Sequence, residues 1–144
     1  MKIISGKYKG KTIKGFDIEG TRPTMDRVKE SLFAMIQNYT SESTVLDLFS
    51  GTGNLGFEAI SNGAKFCYFN DKNKRCTLYI EKIIDELNIK EVSKVLNMDY
   101  NMFHFLLQNH LYFLLFLNVL HFLILGTYMF LLPESPSHFQ NQIQ

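Results

Sequence analysis

The chain has 144 residues, 46% hydrophobic and 20% charged, which suits one folded domain and excludes a disordered chain, a collagen-like repeat and a disulfide-stapled miniprotein. Two cysteines, Cys67 and Cys76, are too few for a secreted framework and lack metal-ligand spacing, so a reducing, cytoplasmic setting without a metal is expected. The net charge of +1 carries no message about partners, but its distribution does. All 15 Lys and Arg residues fall at or before Lys94, and from Tyr100 to Gln144 the formal charge is Glu134 alone. Lys2, Lys7, Lys9, Lys11 and Lys14 form a basic head without an acid, and Met1–Lys7 has no apolar run of signal-peptide length.

Residues 2–14 read as two short strands, with Gly6 and Gly10 supplying bends. Thr24 can cap a helix running to about Asn38, with Asp26 in its first turn and a buried stripe of Val28, Leu32, Met35 and Ile36. The chain then alternates. A strand over Thr44–Leu48 leads to the turn Phe49-Ser50-Gly51-Thr52-Gly53, and a helix from Asn54 to about Asn62 ends before Gly63. A buried strand follows over Lys65–Asn70, then a helix from Asn73 to Leu87 with Cys76, Ile80, Ile83, Ile84 and Leu87 on one face. A third strand spans Val92–Asn97. This alternation predicts a doubly wound α/β sheet.

A strand feeding a glycine turn and a helix start suits close approach of a ligand to backbone. Gly51 and Gly53 would remove side chains from that approach. Asp71, about 20 residues after the glycines at the next strand's tip, suits a ribose hydroxyl pair. Asp99 ends the third strand, and Asp47 precedes the glycines. A phosphate has no use for Asp47, whereas a cationic or hydroxyl-bearing ligand does. The cofactor expected is therefore S-adenosyl-L-methionine rather than a dinucleotide.

Asp47-Leu48-Phe49-Ser50-Gly51-Thr52-Gly53 resembles the cofactor motif of class I methyltransferases. Residues 1–11, Met-Lys-Ile-Ile-Ser-Gly-Lys-Tyr-Lys-Gly-Lys, and residues 21–33, from Thr21-Arg22-Pro23-Thr24 to Phe33, resemble the RsmD-like family over about residues 1–100. Its members methylate the guanine exocyclic amine of small-subunit ribosomal RNA. The resemblance implies a Rossmann-like domain over residues 21–121 and a basic RNA-binding hairpin over 1–20, leaving 122–144 as an atypical tail. It also implies that Phe49, Gly51 and Gly53 hold the methionine part, Asp71 the ribose, and Asp99 with Tyr100 the adenine. Thr21, Arg22 and Asp26 would close the pocket. Lys7, Lys9 and Lys11 alternate, so on a strand they would share one face suited to phosphates. The same comb would also blunt an exposed sheet edge. The implied partner is small-subunit rRNA or its assembling particle, met by a monomer.

The tail departs from the family. Enzymes on exocyclic amines resemble one another in an Asp/Asn-Pro-Pro-aromatic motif after the fourth strand, which binds the amine and stacks the base. Counting from Asp99 puts that strand at 112–117, so Asn118-Val119-Leu120-His121 occupies the motif's place. Asn118 and His121 are the catalytic candidates there, without the proline-fixed backbone. The C-terminal strands look incomplete. Leu111–Leu132 also has the length of a membrane span, though no Lys or Arg flanks it. A third account is a reading frame lost past about Asn101. On these grounds the chain is expected to show no detectable methyl transfer, leaving a remnant that binds cofactor or RNA, or a tethered protein, as the alternatives.

Overall fold

The computed structural model describes residues 2–13 and 26–99, and the backbone of 129–132. Helix α1 spans Asp26–Thr40, strand β1 Thr44–Asp47, α2 Asn54–Ser61, β2 Phe66–Asn70, α3 Lys74–Leu87, β3 Ser93–Leu96 and β4 Met129–Leu132. Among the described residues the sheet order is β3-β2-β1-β4. β1, β2 and β3 are parallel, with Val45 opposite Cys67 and Phe69 opposite Val95. Because the chain steps twice in one direction, right-handed crossovers put α2 and α3 on the same face of the sheet.

That face holds the core. Val45, Cys67 and Phe69 point from β1 and β2 into a cluster with Leu55, Phe57, Ile80, Ile83, Ile84 and Leu87. The apolar spacing in α3 therefore reads correctly, and each such side chain adds about 1.5–3 kcal/mol by leaving water. Gly56 is a packing glycine, since a Cβ there would lie 2.2 Å from the Phe69 ring. Asn73 caps α3 by accepting the Arg75 N–H at 3.0 Å. Gly63 follows α2 with φ +93°.

Three expectations need correction. Residues 2–13 are not two strands: a single antiparallel bridge joins Lys2 and Thr12 around turns over residues 5–10. Gly6 and Gly10 have φ of +73° and +86°. Cross-arm bonds stop at Ile3, which donates to Lys11 O at 3.0 Å and accepts from the Gly10 N–H at 2.8 Å, and the turn bonds Lys9 N–H to Gly6 O and Lys11 N–H to Tyr8 O take over from there. Alternation therefore does not put Lys7, Lys9 and Lys11 on one strand face. In α1 the buried positions are Lys29, Phe33 and Thr40, while Met35 is 75% exposed. Leu32 and Ile36 of the expected stripe still pack half-buried against the core, and Val28 is half-buried. Met35 alone turns to solvent, while Lys29 joins the buried face because its charge is met inside. Finally, β4 pairs antiparallel with β1, Leu46 opposite Phe130, so the last four residues of the long apolar run belong to the sheet. The fourth strand expected at 112–117 and the rest of that run lie outside the described residues. Among the described residues no helix is long and apolar enough to cross a membrane.

Candidate functional site

β1 ends at Asp47, and the chain turns tightly into α2. Ser50 Oγ donates to the Asp47 carbonyl at 2.6 Å, its N–H donates to the Asn70 carbonyl at 2.9 Å, and the Gly53 N–H closes on Ser50 O at 2.6 Å. Gly51 and Gly53 sit at φ +53° and +74°, left-handed angles that glycine adopts without penalty. A Cβ on Gly53 would lie 2.6 Å from Phe57 Cε2 and 3.2 Å from Ile80 Cγ1. The missing side chain of Gly53 thus makes room for the Phe57 ring and Ile80, a packing role that sequence spacing does not show.

Two carboxylates meet the turn's backbone. Asp71, half-buried at the tip of β2, accepts the Gly51 N–H on Oδ2 and the Asn73 N–H on Oδ1, both at 2.8 Å. Each oxygen retains acceptor capacity for a further donor. Asp47 is buried and accepts the Gly56 N–H at 3.0 Å. Burial pushes its pKa up to about 7; the Gly56 bond opposes this and the Asp71 charge adds to it. A phosphate entering this turn would find amides already held by carboxylates and would be repelled by them. Hydroxyl donors or a cation would be attracted. The arrangement therefore disfavours a phosphate cradle and suits a ligand with a diol and a positive centre.

Asn70 aligns the three strand tips. Its Nδ2 donates to Leu48 O at 3.1 Å and Met98 O at 3.2 Å, and its Oδ1 accepts the Met98 N–H at 3.1 Å. Asn97 adds bonds from Nδ2 to the carbonyls of Asp71 (2.7 Å) and Lys72 (3.0 Å). Phe49 is exposed at the turn, and Asp99 is exposed just beyond β3. Asp47, Phe49, Gly51, Gly53, Asp71 and Asp99 all sit on the three strand ends or the turn between them. Asp26 is exposed at the start of α1, 3.4 Å from Lys29 Nζ. Thr21, Arg22, Tyr100, Asn118 and His121 lie outside the described residues.

The basic head lies elsewhere. The Lys7 N–H donates to Ser61 O at 2.7 Å and the Tyr8 N–H to Ser61 Oγ at 3.0 Å, so the hairpin tip is fixed to the foot of α2. At 1.5 Å per residue the foot is about 10 Å from the turn at the head. Lys7, Lys9 and Lys11 are exposed, and Lys7 Nζ lies 5.4 Å from the centre of the Tyr8 ring. Sequence reasoning missed Asn70 and the buried pair Lys29–Glu58, whose charged atoms are 3.3 Å apart. The legible signal was Glu58 itself, the one charge in the apolar helix Asn54–Ser61.

The family model described as Conserved hypothetical protein 95 matches residues 1–117. The chain belongs to that family. Ribosomal RNA small subunit methyltransferase D of Haemophilus influenzae is 39% identical over 98 residues, covering 67% of this chain and 51% of the relative. The protein of the same name from Buchnera aphidicola is 42% identical over 90 residues, covering 62% and 47%. The chain thus spans about half the length of the curated relatives it matches. A solved structure of an Escherichia coli protein assigned as a methyltransferase aligns with TM-score 0.63 and 26% identity over 72% of this chain and 55% of its own. Another, of a Haemophilus influenzae protein assigned as a methylase, aligns with TM-score 0.55 and 33% identity over 68% and 51%. The fold is the α/β methyltransferase architecture expected from the sequence.

Proposed function

We propose that this chain carries the S-adenosyl-L-methionine site of a ribosomal RNA methyltransferase acting on a guanine exocyclic amine of small-subunit rRNA. The observation that carries the reading is Asp71, which reaches from the tip of β2 to the Gly51 amide and keeps acceptor capacity on both oxygens. Asp71 would hold the ribose hydroxyls and Gly51 the methionine part, with Phe49 and Asp99 at the rim. Asp26, with Thr21 and Arg22 before it, would border the pocket, and Tyr100 with Asp99 the adenine. When bound, the cofactor supplies an electrophilic methyl group on a sulfonium. The names of the relatives and the basic hairpin support an rRNA substrate. Such a substrate places the work in the cytoplasm, in keeping with the free buried thiols of Cys67 and Cys76.

Asn118 and His121 would take the amine and stack the base. Without the prolines of the family motif, we infer binding of cofactor and RNA with methyl transfer below detection. Calorimetry with S-adenosylhomocysteine tests the cofactor reading. The chain should bind it, and Asp71→Asn should weaken binding at least about tenfold, because one acceptor becomes a donor facing the hydroxyls. No binding by the unmodified chain, or unchanged affinity in Asp71→Asn, would remove the assignment.

A further inference from the structure

The head of α2 lacks an ordinary cap: Gly53 occupies the capping position and offers no side chain. Behind it, Lys29 of α1 is fully buried. Its ammonium donates to the Lys2 carbonyl at 2.6 Å, to Asn54 Oδ1 at 2.9 Å and to Glu58 Oε2 at 3.3 Å. Three protons thus meet three acceptors, one each at the hairpin, the head of α2 and its middle. Glu58 is equally committed. Its Oε1 accepts the Ser5 N–H at 2.8 Å and the Ser5 hydroxyl at 2.6 Å, and its Oε2 accepts the Ile4 N–H at 3.1 Å.

A pair serving only to join α1 to α2 would need Lys29 and Glu58 alone. The bond to Asn54 is different, because Asn54 follows Gly53 directly and stands two residues before Gly56, whose N–H holds Asp47. We propose that Lys29 is a positioning residue for the glycine turn, fixing the head of α2, which has no cap from its own Gly53, through Asn54 with Glu58 as its counter-charge. Its importance for ligand binding rests on the cofactor reading given above. Its effect on the turn does not. Asp26, 3.4 Å from the same ammonium, joins the device from the first turn of α1.

Native-state amide hydrogen exchange on the full chain separates these possibilities. Asn54→Leu and Asn54→Asp both remove the side-chain amide donor, but the aspartate keeps an acceptor for Lys29. In Asn54→Leu, exchange at Gly53, Gly56 and Phe57 should rise about tenfold or more relative to Tyr68 and Phe69 inside the sheet. In Asn54→Asp it should stay within about threefold of the parent chain. Undisturbed protection in Asn54→Leu, or an equal rise at Tyr68 and Phe69, would overturn the proposal. If Asn54→Leu does not fold, Asn54→Asp decides: selective loss of protection at the same three amides overturns it. Affinity for S-adenosylhomocysteine should follow the same order, falling about tenfold in Asn54→Leu and recovering in Asn54→Asp. Should the unmodified chain bind no S-adenosylhomocysteine while the exchange pattern appears, the cofactor reading fails and the role of Lys29 at the turn stands.

Discussion

At its head α2 meets the glycine turn through acids: Asp71 takes the Gly51 amide and Asp47 the Gly56 amide. At its foot it meets the basic hairpin through neutral groups. The Ser61 carbonyl and hydroxyl receive the amides of Lys7 and Tyr8, and Asn62 Nδ2 donates to Ser5 Oγ at 2.8 Å. On the reading proposed above, the difference separates a ligand site from a docking element. The head has charged acceptors with capacity left for a ligand's donors, whereas the foot's polar groups are engaged with the chain's own backbone. Between the two, the buried Lys29–Glu58 pair is shared, so the ends are not independent.

The strongest way to break this comparison is to remove the shared pair. Glu58→Ala leaves the Lys29 ammonium buried without its counter-charge and strips acceptors from Ile4 and Ser5. Breaking a buried pair from one side typically costs about 3–5 kcal/mol, and urea unfolding should show a loss of that order. A loss below about 1 kcal/mol would mean that head and foot are held separately.

The acid at the head should give stability a pH dependence that the neutral foot does not. Asp47 titrates at about 7 in the fold against an ordinary 3.8, so folding takes up a proton between those values. Its favourable contribution is complete below the lower value and is lost as pH rises through the upper one. Asp47→Asn keeps a neutral acceptor for the Gly56 amide. Unfolding free energies from pH 4 to pH 8 should therefore fall in the parent chain relative to the variant, by a few kcal/mol in total. Parallel pH profiles for the two proteins would show that Asp47 is charged in the fold throughout.

A third measurement sharpens what the turn's glycines do. Gly53→Ala forces a Cβ toward the Phe57 ring at a left-handed φ, which should cost about 1–3 kcal/mol. Phe57→Leu, which removes the ring atoms nearest that Cβ, should recover part of the loss, giving a coupling of about 0.5 kcal/mol or more in a double-mutant cycle. Strict additivity would put the clash elsewhere.

The head was readable from sequence because its signals are local. Asp47, Gly51 and Gly53 lie within seven positions, and Asp71 follows at the end of the next apolar strand. α3 was equally readable, since Ile80, Ile83, Ile84 and Leu87 repeat at helical spacing and all become buried. The foot was not. Its bonds join residues more than fifty positions apart, such as Ser5 with Asn62 and Tyr8 with Ser61, and no period in the chain announces them. The burial of Lys29 beside the half-buried Leu32 and Ile36 was hidden for the same reason. A lysine is assigned to solvent unless its partner is known, and the partner is on another helix. Gly53 differs again: its place in the turn is legible in the sequence, but the Phe57 ring beside its absent side chain appears only in the packing.

The smallest expected effect concerns the hairpin's exposed face, where the comparison predicts a change in binding without a change in fold. Lys7, Lys9 and Lys11 are exposed, so their side chains add little to stability. Replacing all three with glutamine should leave the unfolding midpoint nearly unchanged while weakening binding to a small-subunit rRNA fragment. Each phosphate left without a lysine lowers the slope of log affinity against log salt by about 0.7–0.9, so the triple variant should flatten it by about two. The three lysines lie on or beside a turn, and the tip sits at the opposite end of α2 from the glycine turn. On the rRNA reading proposed above they would hold RNA flanking the target, and the weakening should then be similar for fragments with and without the target guanine. An unaltered salt slope would leave these lysines as a solvated rim on a docking element. Weakening confined to the fragment with the target guanine would instead place the hairpin tip beside the reacting base, against its distance from the turn.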